Sequence, residues 1–166
     1  MQINIIAAVP RNRVIGCNGK LPWSLPKDWA YFLSKVKGHT SIMGRVCFGE
    51  LNPNEDFPSI VVSQSLANTG KGMPYVEFTT SYKDALEIAR KQQLDQVWII
   101  GGQRIYEEAL EHADKLYITR INNEYEGDTI FPEWEKYFTV LESRTIDTEK
   151  GIELAFEVWA KINHNV

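Results

Sequence analysis

The sequence predicts an α/β domain built on a mostly parallel sheet. Residues 3–9 and 97–100 are almost unbroken apolar runs, a pattern typical of strands that are buried on both faces of a sheet. Segments with helical spacing of apolar residues alternate with these and with shorter strands. Two extended segments at the end of the chain, 137–147 and 152–162, are joined by a turn at 148–151 and predict an antiparallel hairpin on one edge of the sheet.

Length and composition indicate one globular domain. The chain has 166 residues, of which 43% are hydrophobic and 24% are charged, as is ordinary for a single soluble domain. A formal net charge of -4 argues against a nucleic-acid partner, because such domains usually carry a basic stripe. No segment approaches the roughly 20 apolar residues of a membrane span. We therefore expect a single domain, 1–166, that binds neither nucleic acid nor a membrane.

The two cysteines and the start of the chain favour a reducing compartment. Cys17 and Cys47 are thirty positions apart and form no CxxC motif, so neither a disulfide framework nor a zinc site is indicated. The first ten residues lack the basic leader and the cleavage site of a signal peptide. We expect a cytoplasmic monomer without a metal.

The remaining elements follow from local signals. Residues 10–24 are rich in Gly, Asn and Pro and predict a long loop, which usually carries function. Pro26 suits the first turn of a helix that continues to about residue 35. Further strands are expected at 41–43, 59–63, 75–78 and 116–121, and further helices at 81–92 and across Ile105, Tyr106, Ala109 and Leu110.

Asp28 is the most informative residue of the first helix. It falls within an apolar row at helical spacing, Leu25, Trp29, Phe32 and Val36. Because burial of an unpaired carboxylate is costly, Asp28 must be exposed at the edge of the row, paired with Lys35 or an arginine, or facing a ligand that donates hydrogen bonds. The helix alone favours the first two explanations, since acids are common in first helical turns.

Two other segments suggest phosphate binding. Gly101 and Gly102 join a strand to a helix, which exposes helix N-terminal amides to a ligand, although a tight turn needs glycine for steric reasons as well. Arg45, just past a strand, and Arg104 could each hold a phosphate or form a surface ion pair. No GxGxxG or Walker motif is present, so an ordinary Rossmann or P-loop fold is not indicated.

Together and in order, these segments resemble the dihydrofolate reductase family from residue 5 to about residue 159. The matching phrases are Ile6-Ala7-Ala8, Val14-Ile15-Gly16, Leu21-Pro22-Trp23, Leu25-Pro26-Lys27-Asp28, Ile42-Met43-Gly44-Arg45, Ile99-Ile100-Gly101-Gly102, Ile105-Tyr106 and Glu126-Gly127-Asp128-Thr129-Ile130-Phe131-Pro132. The resemblance implies an eight-stranded, mostly parallel sheet with helices on both faces. It also implies that residues of about 39–91 form an adenosine-binding lobe.

The resemblance further implies NADPH-dependent reduction of 7,8-dihydrofolate to 5,6,7,8-tetrahydrofolate, with hydride transfer to pterin C6 and protonation at N5. Asp28 would accept hydrogen bonds from N3 and the 2-amino group, Trp23 would place a water, and the loop near Leu21 would admit solvent as the proton source. The expected pterin-binding residues are Ile6, Ala7, Asp28, Trp29, Phe32, Leu51, Ile100, Tyr106 and Thr119. We also expect Trp29 and Phe32 to raise the pKa of Asp28 by desolvation.

For the cofactor, the resemblance implies three contact regions. Ala8, Ile15, Gly16 and Leu21 would lie on the nicotinamide side; Gly101, Gly102, Gln103, Arg104, Ile105 and Tyr106 near the pyrophosphate; and Gly44, Arg45, Val46, Cys47, Ser63 and Gln64 toward the adenosine end. Arg45 would favour NADPH over NADH by pairing with the 2'-phosphate.

The chain departs from the family pattern in three places, of which Gln103 carries little weight. Residues 46–51 replace the usual threonine, aromatic and Glu-Ser, which affects cofactor contacts at Cys47. Residues 54–60 contain no arginine where the family has one for the folate glutamate carboxylate. Either Lys35 or Lys37 substitutes for it, or the tail binds weakly. A reductase of another pterin or a pyrimidine, and a non-catalytic binding module, therefore stay open as alternatives.

Overall fold

The computed structural model describes residues 1–51, 53–66 and 73–162. The helices are α1 Pro26–Val36, α2 Arg45–Phe48, α3 Tyr82–Lys91 and α4 Gln103–Ala109. The strands are β1 Gln2–Pro10, β2 Val14–Gly16, β3 Thr40–Gly44, β4 Ser59–Val62, β5 Val76–Thr79, β6 Gln96–Ile99, β7 Lys115–Ile121, β8 Thr129–Ile130, β9 Val140–Glu149 and β10 Ile152–Ala160. No helix among these residues is both long enough and apolar enough to cross a membrane.

Eight strands form one sheet in the order β5-β4-β3-β6-β1-β7-β10-β9. Every pairing from β5 to β7 is parallel, whereas β10 is antiparallel to both of its neighbours. Residues of α1 and α2 pack into one buried cluster and residues of α3 and α4 into another, so helices cover both faces. The predicted fold class, including the antiparallel C-terminal hairpin, is confirmed.

The apolar runs form the centre of the sheet because their alternate residues pack into the two buried clusters on opposite faces. Ile3 and Ile5 of β1 pack on the α3 and α4 side, and Ile6 packs on the α1 and α2 side. α3 forms as its pattern predicts: the Ser81 hydroxyl accepts a hydrogen bond from the Asp84 backbone N–H at 3.0 Å and caps the helix.

Three sequence-based boundaries were wrong. The segment 10–24 is not loop throughout, since β2 pairs with β8 in a separate two-stranded sheet. The turn of the C-terminal hairpin contains only Lys150 and Gly151, both at positive φ, because Thr148 and Glu149 remain paired with β10. β9 also begins at residue 140 rather than 137.

The topology brings several strand ends to one edge. β4, β3, β6 and β1 run parallel, and β6 lies between β3 and β1, although it follows both in sequence. Such a reversal of strand order opens a crevice at the carboxyl ends of the strands, where ligands of α/β proteins bind. The Gly44 backbone N–H donates to the Gly101 carbonyl oxygen at 2.8 Å, which joins the ends of β3 and β6 directly.

Candidate active site

A cavity of about 520 Å³ lies at this edge of the sheet. It brings together all the residues that the sequence assigns to catalysis and pterin binding: Ile6, Ala7, Leu21, Trp23, Asp28, Trp29, Phe32, Leu51, Ile100, Tyr106 and Thr119. It is also lined by ten of the residues assigned to the cofactor, namely Ala8, Ile15, Gly16, Leu21, Val46, Cys47, Gly101, Gly102, Gln103 and Tyr106. Residues far apart in sequence thus share one continuous surface.

Six residues assigned to the cofactor lie outside this cavity: Gly44, Arg45, Ser63, Gln64, Arg104 and Ile105. Ile105 is buried in the core on the α3 and α4 side, so its side chain is not available to a ligand. Arg45 and Arg104 are exposed near the starts of α2 and α4. Ser63 follows β4, whose Val62 is paired with Gly44. The positions outside the cavity therefore lie along the same edge of the sheet.

Asp28 is buried inside the cavity wall, with only 9% of its surface exposed. Desolvation raises its pKa from 3.8 to about 6; a hydrogen bond with Thr119 opposes this rise, and the charge of Glu149 adds to it. The expected rise in pKa by burial is confirmed in direction. A carboxylate with such a pKa is ionised at neutral pH but costly to keep so without a ligand.

The structure excludes two of the three explanations for Asp28. It is not exposed, and the ion pairs formed among the described residues do not include it. Lys35 instead lies with its Nζ over the rings of Tyr31 and Tyr117, at 5.3 and 5.9 Å from their centroids. The carboxylate instead lies in the wall of the cavity, where it forms a hydrogen bond with the Thr119 side chain.

The expectation that Trp29 belongs to the buried row of α1 was wrong, because 38% of this residue is exposed. The inner face of α1 contains Asp28 and Val36, whereas Trp29 lies one position further around the helix. Its ring contacts that of Phe32 with 5.1 Å between centroids. Trp29 still lines the cavity, but as a partly exposed wall.

The C-terminal hairpin holds the start of α1. The Lys27 backbone N–H donates to both carboxylate oxygens of Glu149 at 3.1 and 3.2 Å. The Lys27 ammonium group contacts Asp147 at 3.0 Å, and the Lys150 ammonium group donates to the Ser24 carbonyl oxygen at 2.6 Å. The charge of Glu149 also contributes to the raised pKa of Asp28, after desolvation and the hydrogen bond with Thr119, so the hairpin both holds the start of the helix and adds to its local electrostatics.

The glycine pair leaves open space beside packed backbone. Gly101 has φ of +123°, and a Cβ there would lie 3.1 Å from the Cys47 sulfur and 3.3 Å from the Tyr106 ring. A Cβ at Gly102 would meet no protein atom within 4 Å, although Gly102 lines the cavity. The positive φ and the tight surroundings therefore favour glycine at 101, whereas the space beside Gly102 is free of protein atoms.

Tyr106 and Cys47 are structural neighbours of this turn. The buried Tyr106 hydroxyl has one hydrogen, which it shares between the Ile6 and Ile100 carbonyl oxygens at 2.9 and 2.8 Å, and this links β1 to the end of β6. The Cys47 thiol lies 3.8 Å from the Ile100 carbonyl oxygen, and burial raises its pKa to about 12. The thiol therefore stays neutral and is a poor nucleophile.

The segment around Asp128, to which the sequence assigned no role in the site, holds the loop that borders the cavity. The Asp128 carboxylate accepts from the Asn18 backbone N–H at 3.1 Å, and the Asp128 N–H donates to the Gly16 carbonyl oxygen at 3.0 Å. Trp23 packs on Tyr125 with 5.2 Å between ring centroids. The 41% exposed Leu21 lies in this loop and lines the cavity.

Sequence reasoning missed six residues of the cavity wall, which are Gly19, Lys20, Tyr31, Glu50, Asp128 and Thr129. Tyr31 could have been predicted, because it follows Asp28 at helical spacing. Glu50 gave no local signal, and Asp128 lies in a matching phrase, 126–132, to which no site role was assigned. They reach the cavity through α2 and through the pairing of β2 with β8.

The fold and the cavity define a class of α/β proteins with a ligand-sized site at the carboxyl ends of parallel strands and a buried carboxylate in its wall. Comparison with known proteins identifies the class more closely. The model of the dihydrofolate reductase family matches residues 2–161.

Individual relatives agree with the family match. A dihydrofolate reductase of Bacillus subtilis is 35% identical over 165 residues, which cover 97% of this chain and 95% of the relative. One of Bos taurus is 37% identical over 185 residues, with 97% and 98% covered. One of Haemophilus influenzae is 35% identical over 140 residues, with 82% and 84% covered. The chain belongs to the dihydrofolate reductase family and is an oxidoreductase that uses a nicotinamide cofactor.

Proposed function

We propose that this enzyme reduces 7,8-dihydrofolate to 5,6,7,8-tetrahydrofolate with NADPH, as a monomer in the cytoplasm. The observation that carries the proposal is the buried Asp28 carboxylate, which has no cationic partner among the described residues and faces an apolar cavity. A pterin offers what this group lacks, because N3 and the 2-amino group present two donors side by side to one carboxylate.

The chain's own residues bind and orient the pterin. Asp28 accepts the two hydrogen bonds, and Thr119 holds the carboxylate through its hydroxyl. Ile6, Phe32 and Ile100 supply apolar walls for the ring. When bound, the nicotinamide supplies a hydride to C6, so the protein contributes mainly orientation and electrostatics.

The proton for N5 comes from solvent in this proposal. Asp28 is occupied at the opposite side of the ring by N3 and the 2-amino group, so it polarises the pterin without donating to N5 directly. Leu21 and Trp23 border the cavity in the loop that Asp128 holds, where a water can be admitted and positioned.

The residues present fit a dinucleotide cofactor. The free space beside Gly102 and the amides at the start of α4 suit the pyrophosphate. Arg45 is exposed at the start of α2 and forms no ion pair within the described part of the chain, so its guanidinium is free for a 2'-phosphate. This arrangement favours NADPH over NADH.

Asp28 should make the stability of the unliganded enzyme depend on pH. The pKa of Asp28 is about 6 in the folded protein and about 3.8 in the unfolded chain. The folded state therefore binds the proton more tightly. Its contribution to stability is complete below pH 3.8 and is lost as the pH rises through 6. We expect Asp28→Asn to change the free energy of unfolding little at pH 3.5 and to raise it by about 3 kcal/mol at pH 7.5.

Urea denaturation at both pH values measures this effect. Asp84→Asn is the matched control, because Asp84 lies in the first turn of α3 but is exposed. If the unfolding free energies of the Asp28→Asn variant and the original protein change with pH in parallel, the carboxylate does not carry the cost of burial.

The part of the site expected to bind the glutamate tail of dihydrofolate favours a second class of substrate, pterins without that tail. The described residues from 54 to 60 contain no arginine, and Phe57 instead packs into the apolar cluster of α1 and α2. Neither Lys35 nor Lys37 lines the cavity. Loss of a bidentate charged pair corresponds to about 2 to 3 kcal/mol, so we expect the Michaelis constant for dihydrofolate to be close to that for a tail-less dihydropterin, within about fivefold.

Initial rates with the two substrates at saturating NADPH measure this ratio. A hundredfold lower Michaelis constant for dihydrofolate would show that another group grips the glutamate. A reductase of a different pterin would instead turn over the tail-less substrate faster.

The function itself is tested by following NADPH oxidation with dihydrofolate, with a tail-less dihydropterin and with a dihydropyrimidine. We expect turnover of both pterins and not of the pyrimidine. Consumption of NADPH only with the pyrimidine, or with none of the three, would overturn the proposal.

A further inference from the structure

A second cavity, of about 620 Å³, lies on the other face of the sheet and shares no lining residue with the first. Arg120 lines it, whereas Thr119, the residue before it in β7, lines the active-site cavity. Successive strand residues point to opposite faces, so the two cavities lie back to back across β7. We call this second site the arginine cavity.

The arginine cavity concentrates one residue type. Its wall contains Arg11, Arg13, Arg120 and Arg144, which are four of the seven arginines of the chain, and no lysine among the described residues lines it. Arginine differs from lysine in presenting a planar fork of donors that matches the oxygens of phosphate or carboxylate.

A buried acid fixes two of these arginines in place. The side chain of Glu157 is only 8% exposed and accepts from the Trp159 indole N–H at 3.0 Å. Its two oxygens lie 3.1 Å from the Nε atom of Arg120 and 3.2 Å from the Nε atom of Arg144. Because Glu157 is contacted through Nε, the terminal N–H groups of both guanidinium forks remain available to a ligand.

Packing further restricts this pair. The Arg120 guanidinium lies over the Trp134 ring at 4.7 Å from its centroid, which holds the fork flat against the cavity wall. Arg144 lies directly across from Glu157 in the pairing of β9 with β10. A preorganised fork loses less conformational entropy when it binds an anion.

The other charged groups of the cavity define the ligand. Arg13 donates to the Phe131 carbonyl oxygen at 3.1 Å, and the Arg11 side chain has no hydrogen-bond partner or ion pair in the described part of the chain. Two further acids, Glu135 and Glu153, line the same cavity and can accept from hydroxyl groups. The four arginines outnumber the three glutamates, although the whole chain is acidic.

We propose that the arginine cavity binds a small phosphate ester that carries hydroxyl groups, with the phosphate on Arg120 and Arg144 and the hydroxyl groups on Glu135 and Glu153. The volume suits a ligand of sugar phosphate or mononucleotide size. The two cavities share no lining residue, so this ligand does not compete with substrate or cofactor for the same space.

Calorimetric titration of the intact protein with glucose 6-phosphate, inorganic phosphate and glucose tests this site in a phosphate-free buffer. We expect glucose 6-phosphate to bind more tightly than inorganic phosphate and glucose not to bind. Arg144→Gln should raise the Kd for glucose 6-phosphate at least tenfold. Arg11→Gln, which alters an exposed side chain, is the second variant if Arg144→Gln fails to fold, and it should also weaken binding.

Arg45→Gln is the control that separates this site from the cofactor region, and it should leave the Kd unchanged. Loss of binding in Arg45→Gln with full binding in Arg144→Gln and Arg11→Gln would place the ester in the reductase site and overturn the proposal. Equal Kd values for inorganic phosphate and the ester, or no binding of either, would overturn it as well.

Discussion

Asp28→Asn is expected to lower kcat/KM for dihydrofolate at neutral pH by about 150- to 1000-fold. The carboxylate accepts two charge-assisted hydrogen bonds from the pterin in our proposal, and their loss corresponds to about 3 to 4 kcal/mol of transition-state stabilisation. The substitution keeps the shape of the side chain and removes its charge. Steady-state rates of NADPH oxidation, with dihydrofolate varied, measure the effect.

The matched control for this experiment is Asp84→Asn, which also removes a carboxylate from a first helical turn but at an exposed position outside the cavity. It should retain the original kcat/KM. If Asp28→Asn gains stability at pH 7.5 and also loses activity, the Asp28 carboxylate is needed for turnover although it lowers the stability of the folded protein. Full turnover by Asp28→Asn would refute the assigned role.

Arg45→Ala is expected to raise the Kd for NADPH by about 30- to 150-fold and to leave the Kd for NADH nearly unchanged. A charge-assisted pair with the 2'-phosphate is worth about 2 to 3 kcal/mol, and NADH has no phosphate at that position. Fluorescence titration of the enzyme with each cofactor measures both constants.

Arg90→Ala provides the comparison for Arg45, because Arg90 is also an exposed arginine but lies in α3 and pairs with Glu87 at 2.8 Å. It should change neither Kd. If Arg45→Ala weakened NADPH and NADH equally, Arg45 would act on a part that the two cofactors share. An unchanged Kd for NADPH would remove Arg45 from the site.

Local sequence signals predicted the central elements of the fold. β1 and β6 were recognisable because a strand buried on both faces must be apolar throughout, and Pro26 marked the start of α1. The pairing of β2 with β8 could not be predicted, since these strands are two and three residues long and more than a hundred positions apart. Such short strands exist only because the partner is present.

The sequence was enough to name residues of the site, but not to predict how they are arranged. The motif phrases named Asp28, yet its burial depends on which side of α1 the sheet covers, and the same ambiguity made the assignment of Trp29 to the buried row wrong. The contact of Glu149 with the start of α1 spans 122 positions and leaves no local pattern. The weak grip on the substrate tail stays a prediction.

The central claim is that a pterin held by Asp28 receives a hydride in the cavity at the carboxyl ends of the strands. Single turnover of dihydrofolate with NADPH that carries deuterium at nicotinamide C4, followed by mass and NMR analysis of the product, tests it most directly. We predict tetrahydrofolate with deuterium at C6 from the original enzyme and almost none from Asp28→Asn in the same time. Deuterium at another position, or equal labelling by both proteins, would contradict the claim.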